Sequence, residues 1–371
     1  MLDSGRFPAL LLQVTKMPNR LASLDALVHP HQMEVQDFAS YDLIVDARSP
    51  GAFQEDHIPG ALNVPVGTAD RQVHQDISVF GVVRESALGI PYKLAAAMRP
   101  LAAGARVLVY CDRGGLDSLV WADSLRAAGF DVDVLPGGWG NYVRWVAAGL
   151  AVLSRSLGFR LLIAPPVSGM SRVVARLRAL DQQVIDLTAL AGQRLLPGVT
   201  LVSDSPPSQA AFETALLDLL RRLDPRRVVW LRVSLCGLGE LTLPPALRDA
   251  LAGSAGTRLE VPLTARAKAW HHCLLSKGSE AARVINAIAA SSRPPASDVL
   301  ESWRQRSGGG QVLEVLAEVI TGYIERRQCD EIWGRETETL AVSSEAAESV
   351  GAAVDDWCAE VIRRQGDRVP I

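Results

Sequence analysis

A cysteine, Cys111, closes the apolar run Val107-Leu108-Val109-Tyr110 and opens the turn Asp112-Arg113-Gly114-Gly115-Leu116-Asp117, before Ser118 begins a helix-forming stretch. A thiol at a strand-to-helix turn faces the unpaired N–H groups of the turn and the positive end of the helix. Both favour an anion, so the placement predicts a thiolate that acts as a nucleophile. Gly114 and Gly115 allow the backbone to approach closely enough to form an anion cradle around that sulfur. The plain alternative is an inert buried thiol, since free cysteine is among the most buried residue types. Its place at the strand end, with two glycines following, favours the reactive reading.

The other chemistry-bearing residues are weaker candidates. Cys236, Cys273, Cys329 and Cys358 form no CxxC pair, so neither a disulfide framework nor a zinc site is expected. The scatter suits a reducing cytosol, and a cytoplasmic location is expected. His271-His272-Cys273 are adjacent on a helix-forming stretch and point in different directions, so no metal site is assigned. A net charge of −3 specifies no partner class. Lysine occurs only at 16, 93, 268 and 277, leaving arginine to carry nearly all the positive charge. The pairs Arg221-Arg222 and Arg226-Arg227 could touch phosphates of a nucleic acid, or could equally be a solvated helix end. Trp139, Trp145 and Trp230 fit core or helix-packing positions. The apolar run Phe7 to Leu12 is too short for a membrane span and lacks a basic leader. Neither a membrane nor DNA is an expected partner.

These residues need elements to hold them. Length and an apolar content of 48% support more than one packed domain. Residues 1–38 read as an extension. Over 39–150, strands at Tyr41–Val45, Arg106–Tyr110 and Val132–Leu135, with a turn leading into a further strand over His57–Pro65, alternate with helices, indicating a parallel-sheet α/β domain. Residues 68–86 read as irregular. A second α/β unit, 156–265, follows, with strands at Arg160–Ala164, Val184–Leu187, Val199–Val202, Arg227–Val233 and a last one at Leu259–Pro262. Helices at Ser171–Leu180, Phe212–Leu223 and Pro245–Leu251 separate them. The remainder, 266–371, reads as a helical region with a polar, acidic tail.

Three segments of the first domain resemble the rhodanese family. They are Ile44-Val45-Asp46-Ala47-Arg48, His57-Ile58-Pro59-Gly60-Ala61-Leu62-Asn63-Val64-Pro65, and Leu135-Pro136-Gly137-Gly138-Trp139. The family's active cysteine aligns with Cys111. The resemblance implies a persulfide carrier whose thiolate accepts a sulfane sulfur and passes it on. Asp46 and Arg48 are supporting residues, either a functional ion pair near the loop or, the preferred reading, a structural pair that fixes the turn after the first strand; His57 and Asn63 are read as turn residues. The family's longer loops carry arginine at the sixth position after the cysteine, where this chain has Asp117. A carboxylate beside a thiolate opposes its ionisation and repels an anionic donor.

The order of domains is similar to that of the tRNA 2-selenouridine synthase family, a rhodanese domain followed by a P-loop domain, and this chain reads as a divergent member. Cys111-Asp112-Arg113-Gly114-Gly115 matches that family's Cys-x-Arg-Gly-Gly loop. Asp186-Leu187, Ser208-Gln209-Ala210-Ala211-Phe212 and Leu243-Pro244-Pro245-Ala246-Leu247 match further motifs. The resemblance implies transfer of a chalcogen to 2-thiouridine at the tRNA wobble position. It makes tRNA the candidate partner, with selenophosphate or a sulfur donor as co-substrate. The phosphate loop departs from its pattern. Glycine is replaced by Ala164, Pro165 and Pro166 lack N–H donors, and Met170 stands for lysine between Gly169 and Ser171. ATP binding is therefore not expected, and no bound cofactor is assigned. The alternatives are a rhodanese-type sulfurtransferase with another acceptor, or a non-catalytic paralogue that binds a partner.

Overall fold

The protein is seen in a computed structural model. It describes residues 38–66, 73–74, 78–79, 82–83, 90–112, 116–192, 206–233, 238–276, 278, 280–291, 293–327, 337–341, 355–360 and 363. The chain divides into two compact units, Met1–Gly149 and Leu150–Ile371. Both are α/β with parallel sheets, and a helical region lies toward the C-terminus.

In the first unit, β1 (Leu43–Asp46), α1 (Pro50–Glu55) and β2 (Leu62–Asn63) come first. Four two-residue strands follow, β3 (Val73–His74), β4 (Ser78–Val79), β5 (Val82–Val83) and β6 (Ile90–Pro91). Then come α2 (Tyr92–Met98), β7 (Arg106–Tyr110), α3 (Leu116–Ala127), β8 (Asp131–Val134) and α4 (Gly138–Ser156), the last ending in the second unit. The main sheet runs β2-β1-β7-β8, every neighbour parallel. Its central strands β1 and β7 are buried over their last residues, as apolar runs covered on both faces must be. Register sets Asp46 beside both Tyr110 and Asn63, so the C-terminal ends of three strands lie level. The stretch expected to be irregular, 68–86, carries β3, β4 and β5: β4 pairs antiparallel with β5, and β3 with β6, which lies beyond it. Two-residue strands are too short for side-chain alternation to reveal them.

The second unit has the sheet order β10-β11-β9-β12-β13, again wholly parallel. The strands are β9 (Phe159–Ile163), β10 (Gln183–Asp186), β11 (Val229–Arg232), β12 (Ala255–Glu260) and β13 (Thr337–Ala341). Between them run α5 (Met170–Ala179), α6 (Leu187–Leu190), α7 (Gln209–Leu220) and α8 (Pro245–Ala252). The strand expected at Val199–Val202 lies outside the described residues. Leu259 belongs to a strand, but not to the last one, because β13 from the polar tail pairs along β12. Its sequence, Thr-Glu-Thr-Leu-Ala, gave no strand signal, and an edge position explains the tolerance for charge. Between β12 and β13, α9 (Leu263–Ser276), α10 (Ala281–Ala289), α11 (Ser297–Gly308) and α12 (Val312–Val319) pack around Trp270, Val284, Ile288, Val315 and Ile320.

Three of the four paired arginines have an acidic neighbour. Arg221 and Arg222 both bind Asp218, at 2.8 and 2.6 Å, and Arg227 binds Asp181 at 3.3 Å. The solvated helix end is the better of the two readings. Among the described residues, no helix is long and apolar enough to cross a membrane. No cluster of His, Cys, Asp and Glu there could hold a metal, the stretch His271–Cys273 on α9 included.

Candidate active site

The site forms at the C-terminal edge of the first sheet, where ligands of parallel α/β sheets gather because the strand-to-helix turns lie there. The Asp46 carboxylate accepts hydrogen bonds from the Arg48 backbone N–H at 2.8 Å, from Nε at 3.1 Å and from Nη2 at 2.8 Å. Nη2 also donates to the Asp56 carbonyl at 2.6 Å. Both partners are buried, with relative exposures of 0% and 4%. Burial opposes the Arg48 charge, but the hydrogen bonds and charge of Asp46 more than offset it, so its pKa stays above the ordinary value. The guanidinium carbon lies 3.7 Å from the centroid of the Trp139 ring. Its free nitrogen, Nη1, lies 4.0 Å from Asp112. Arg48 thus ties the first turn to the residue after Cys111. The pair closes the turn after β1, and Arg48 reaches from it toward Asp112.

Other groups close the same edge. Asn63 donates through Nδ2 to the carbonyls of Asp46 and Arg48, at 3.2 and 2.9 Å. His57 stacks on Phe53 and its Nδ1 lies 2.8 Å from the Phe53 carbonyl. These are the turn roles read from the sequence. The Trp139 backbone N–H donates to the Cys111 carbonyl at 2.9 Å, which explains why the Pro-Gly-Gly-Trp segment follows the sheet so closely. With Gly137 at φ 66° and Gly138 at φ 57°, that turn needs glycine at both places. Arg48 covers one face of Trp139 and Tyr142 stacks on it at 4.9 Å, so the ring is a packing element.

Cys111 is fully buried, packed with Val109, Trp121, Ala122 and Leu125. Full burial is what the inert-thiol alternative expects, and a reaction at the sulfur requires its surroundings to open. Arg113, Gly114 and Gly115 lie outside the described residues. Leu116 opens α3, and Asp112 is exposed. Asp117 is also exposed, an acidic residue in the first turn of α3. The sequence reading set its carboxylate against the thiolate. The structure turns it to solvent, where the helix dipole favours a negative charge. Ser118 is fully buried. Trp121 anchors the same helix by donating its indole N–H to the Val64 carbonyl at 2.7 Å.

The phosphate-loop counterpart after β9 is built differently. Met170 is buried at 4% exposure among Leu162, Val173, Val174, Leu177 and Trp230. The side chain in the lysine position therefore enters the core. Val167 has φ 61°, which a β-branched residue rarely adopts, and packs against the helical cluster of α9–α12. Arg266 donates to the Pro166 carbonyl at 3.1 Å and to Glu325 at 2.7 Å. Ala164 packs beside the same core as Met170, while Gly169, at φ 79°, and Ser171 are exposed. Arg232, at the end of β11, donates to Ser171 Oγ at 3.1 Å and to Asp186 at 2.9 Å. Asp186 also caps α6. The Ser208 hydroxyl caps α7, and Gln209 exchanges two hydrogen bonds of 2.9 Å with the backbone of Thr242. The Ser-Gln motif is thereby joined to the residue just before the Leu-Pro motif, a link that no spacing could disclose.

Residues 32–144 match the rhodanese-like domain family. The chain is also similar to proteins named tRNA 2-selenouridine synthase. That of Shewanella denitrificans is 28% identical over 48% of this chain and 52% of its own length. That of Nitrosomonas europaea is 23% identical over 60% and 61%. That of Hahella chejuensis is 25% identical over 76% and 71%. The chain thus spans between half and three-quarters of the length of these relatives. No solved structure matches it. Residues 32–144 are therefore a rhodanese-like domain, and the chain that carries them is a divergent relative of the tRNA 2-selenouridine synthases.

Proposed function

We propose that the protein is a chalcogen transferase acting on 2-thiouridine at the tRNA wobble position, with Cys111 as its nucleophile. The supporting observation is the extent of the similarity. The rhodanese match ends at residue 144, whereas likeness to a protein named tRNA 2-selenouridine synthase covers 76% of the chain. A rhodanese domain alone would account for neither the second sheet nor its Ser-Gln and Leu-Pro motifs. In the loading step, the Cys111 thiolate attacks the outer sulfur of a sulfane donor. One S–S bond forms as the donor's breaks, and the bonding pair leaves on the remainder of the donor. At the tRNA base, selenophosphate supplies the selenium: a C–Se bond forms as the C–S bond breaks, sulfur leaves as hydrogen sulfide, and water takes the phosphoryl group as phosphate, so no oxidant is needed. The persulfide on Cys111 belongs to the sulfur-donor case, where a thiol acceptor takes its outer sulfur and the Cys111 thiolate is released. ATP takes no part in this reading, because two prolines and a buried methionine occupy the phosphate loop.

Deletion of the gene in cells that make selenophosphate tests the reading. Loss of wobble 2-selenouridine, measured by mass spectrometry of digested tRNA, is the expected result. Unchanged tRNA would sink it. A second reading, a sulfurtransferase serving another acceptor, draws support from the phosphate loop being fastened to the helical region by Arg266 and Val167. It expects persulfide on Cys111 after thiosulfate treatment together with intact wobble modification.

A further inference from the structure

One buried polar atom of the first unit has no partner among the described residues, the hydroxyl oxygen of Ser118. A hydroxyl withdrawn from water and left unbonded is costly, so such an atom in a folded domain points to a partner that is absent in this state. Its position indicates which partner. Ser118, Trp121, Ala122 and Leu125 follow the i, i+3, i+4, i+7 spacing of one helix face, and all four are buried. Three of them share a cluster with Cys111. Trp121 is pinned to the carbonyl of Val64, just beyond the end of β2, so this face meets the C-terminal edge of the sheet. Ser118 lies one turn nearer the helix start than Trp121, on the side of the turn that begins at Cys111.

Among the described residues, the following charged and titratable groups around this edge are otherwise engaged. Asp46 is bound by Arg48, Asp112 lies beside Arg48, and Lys93 donates to the Asn63 carbonyl. The Tyr110 hydroxyl accepts from the Ile58 N–H, and Asp117 faces solvent. With Asp117 in the arginine position, no side-chain cation from that place reaches the sulfur. We infer that Ser118 is a positioning residue for Cys111, its hydroxyl donating a hydrogen bond to the sulfur once the sulfur carries negative charge. This rests on the reading of Cys111 as nucleophile and adds the group that steadies its anion. The hydroxyl would serve the thiolate before loading and again when sulfur is handed on and the thiolate is released.

The test is the pH dependence of Cys111 alkylation by iodoacetamide in the full chain, followed on the Cys111 peptide by mass spectrometry. Ser118→Ala should move the midpoint upward by about one pH unit, as expected for loss of a hydrogen bond to the charged form. Ser118→Thr keeps the hydroxyl and should retain the original midpoint. Ser118→Val, matched in shape to threonine, should shift it as alanine does, and this pair reads the same difference should the alanine variant not fold. A change in plateau rate with an unchanged midpoint would record access to the sulfur alone and would overturn the proposal. Equal shifts in the threonine and valine variants would overturn it too. The measurement uses neither tRNA nor chalcogen donor. A chain that shows the hydroxyl effect but leaves tRNA unmodified therefore refutes the proposed function and not this role of Ser118.

Discussion

The molecule contains two strand-to-helix turns that begin alike and end differently. Each leaves the C-terminal end of a buried parallel strand, β7 or β9, and enters a helix, α3 or α5. After β7, side chains from other elements reach the ends of the turn. Arg48 reaches toward Asp112, Trp139 holds the Cys111 carbonyl, and Ser118 keeps an unbonded hydroxyl. After β9, the turn's own groups are consumed by the fold. Met170 and Val167 are packed into cores, Pro166 is bound by Arg266, and Ser171 by Arg232. A strand-to-helix turn becomes a site only where its polar groups are left for a ligand. The second turn has become a fastening between sheet and helices.

Several experiments could break that contrast. The largest effect is expected from Cys111→Ser, which should abolish transfer entirely, assayed as sulfur release from thiosulfate to a thiol acceptor. Retained transfer would place the chemistry elsewhere. Next, Met170→Lys restores the residue of a working phosphate loop, yet the side chain would enter the core. We expect a loss of about 3 kcal/mol in urea unfolding, the scale for burying an uncompensated polar group, and no gain in ATP affinity by calorimetry. Tighter ATP binding would show that the second turn had only lost its charge.

Arg266→Ala should cost about 3 kcal/mol, because it leaves Glu325 without its partner and frees the Pro166 carbonyl. Alkylation of Cys111 should be unaffected if the two turns work separately. Arg48→Lys should cost about 1–2 kcal/mol by the same unfolding measurement, since a lysine cannot reproduce the forked bond to Asp46 or the stacking on Trp139. It should also alter alkylation of Cys111, in contrast to the Arg266 variant.

The smallest effect separates two buried thiols. Burial, with Asp355 adding to it, pushes the Cys358 thiol from 9.0 up to about 11. The folded protein thus holds this proton where the unfolded chain releases it. The resulting stabilisation is present below pH 9 and is lost as the pH rises toward 11. Cys358 should stay unmodified by iodoacetamide at pH 8, and modification there would show that the thiol ionises more readily than its surroundings allow.

Much of this was legible in the residues. The apolar runs that became β1, β7, β9 and β11 were visible because strands covered on both faces must be apolar throughout. The Ile44–Arg48 segment disclosed its ion pair, since Asp46 and Arg48 two apart at a strand end can close a turn locally. Other features were hidden for physical reasons. β13 has a polar edge sequence, and β3 to β6 are too short to show a period. The exposure of Asp117 and the burial of Ser118 depend on how α3 is rotated about its axis, which packing of Trp121 and Leu125 decides. The links from Arg266 to Pro166 and from Gln209 to Thr242 join residues far apart in the chain.

By itself, the order of residues determined two parallel α/β units, the cysteine at the head of a turn, and the replacement of a phosphate loop's glycine and lysine by Ala164 and Met170. These follow from local rules, namely burial of apolar runs, the freedom of glycine, and the missing N–H of proline. Only the tertiary structure decided that the cysteine is covered, that its neighbouring serine lacks a partner, and that the second turn is tied down from a distant helix. Those outcomes depend on which faces meet when the helices pack, and no local spacing carries that information.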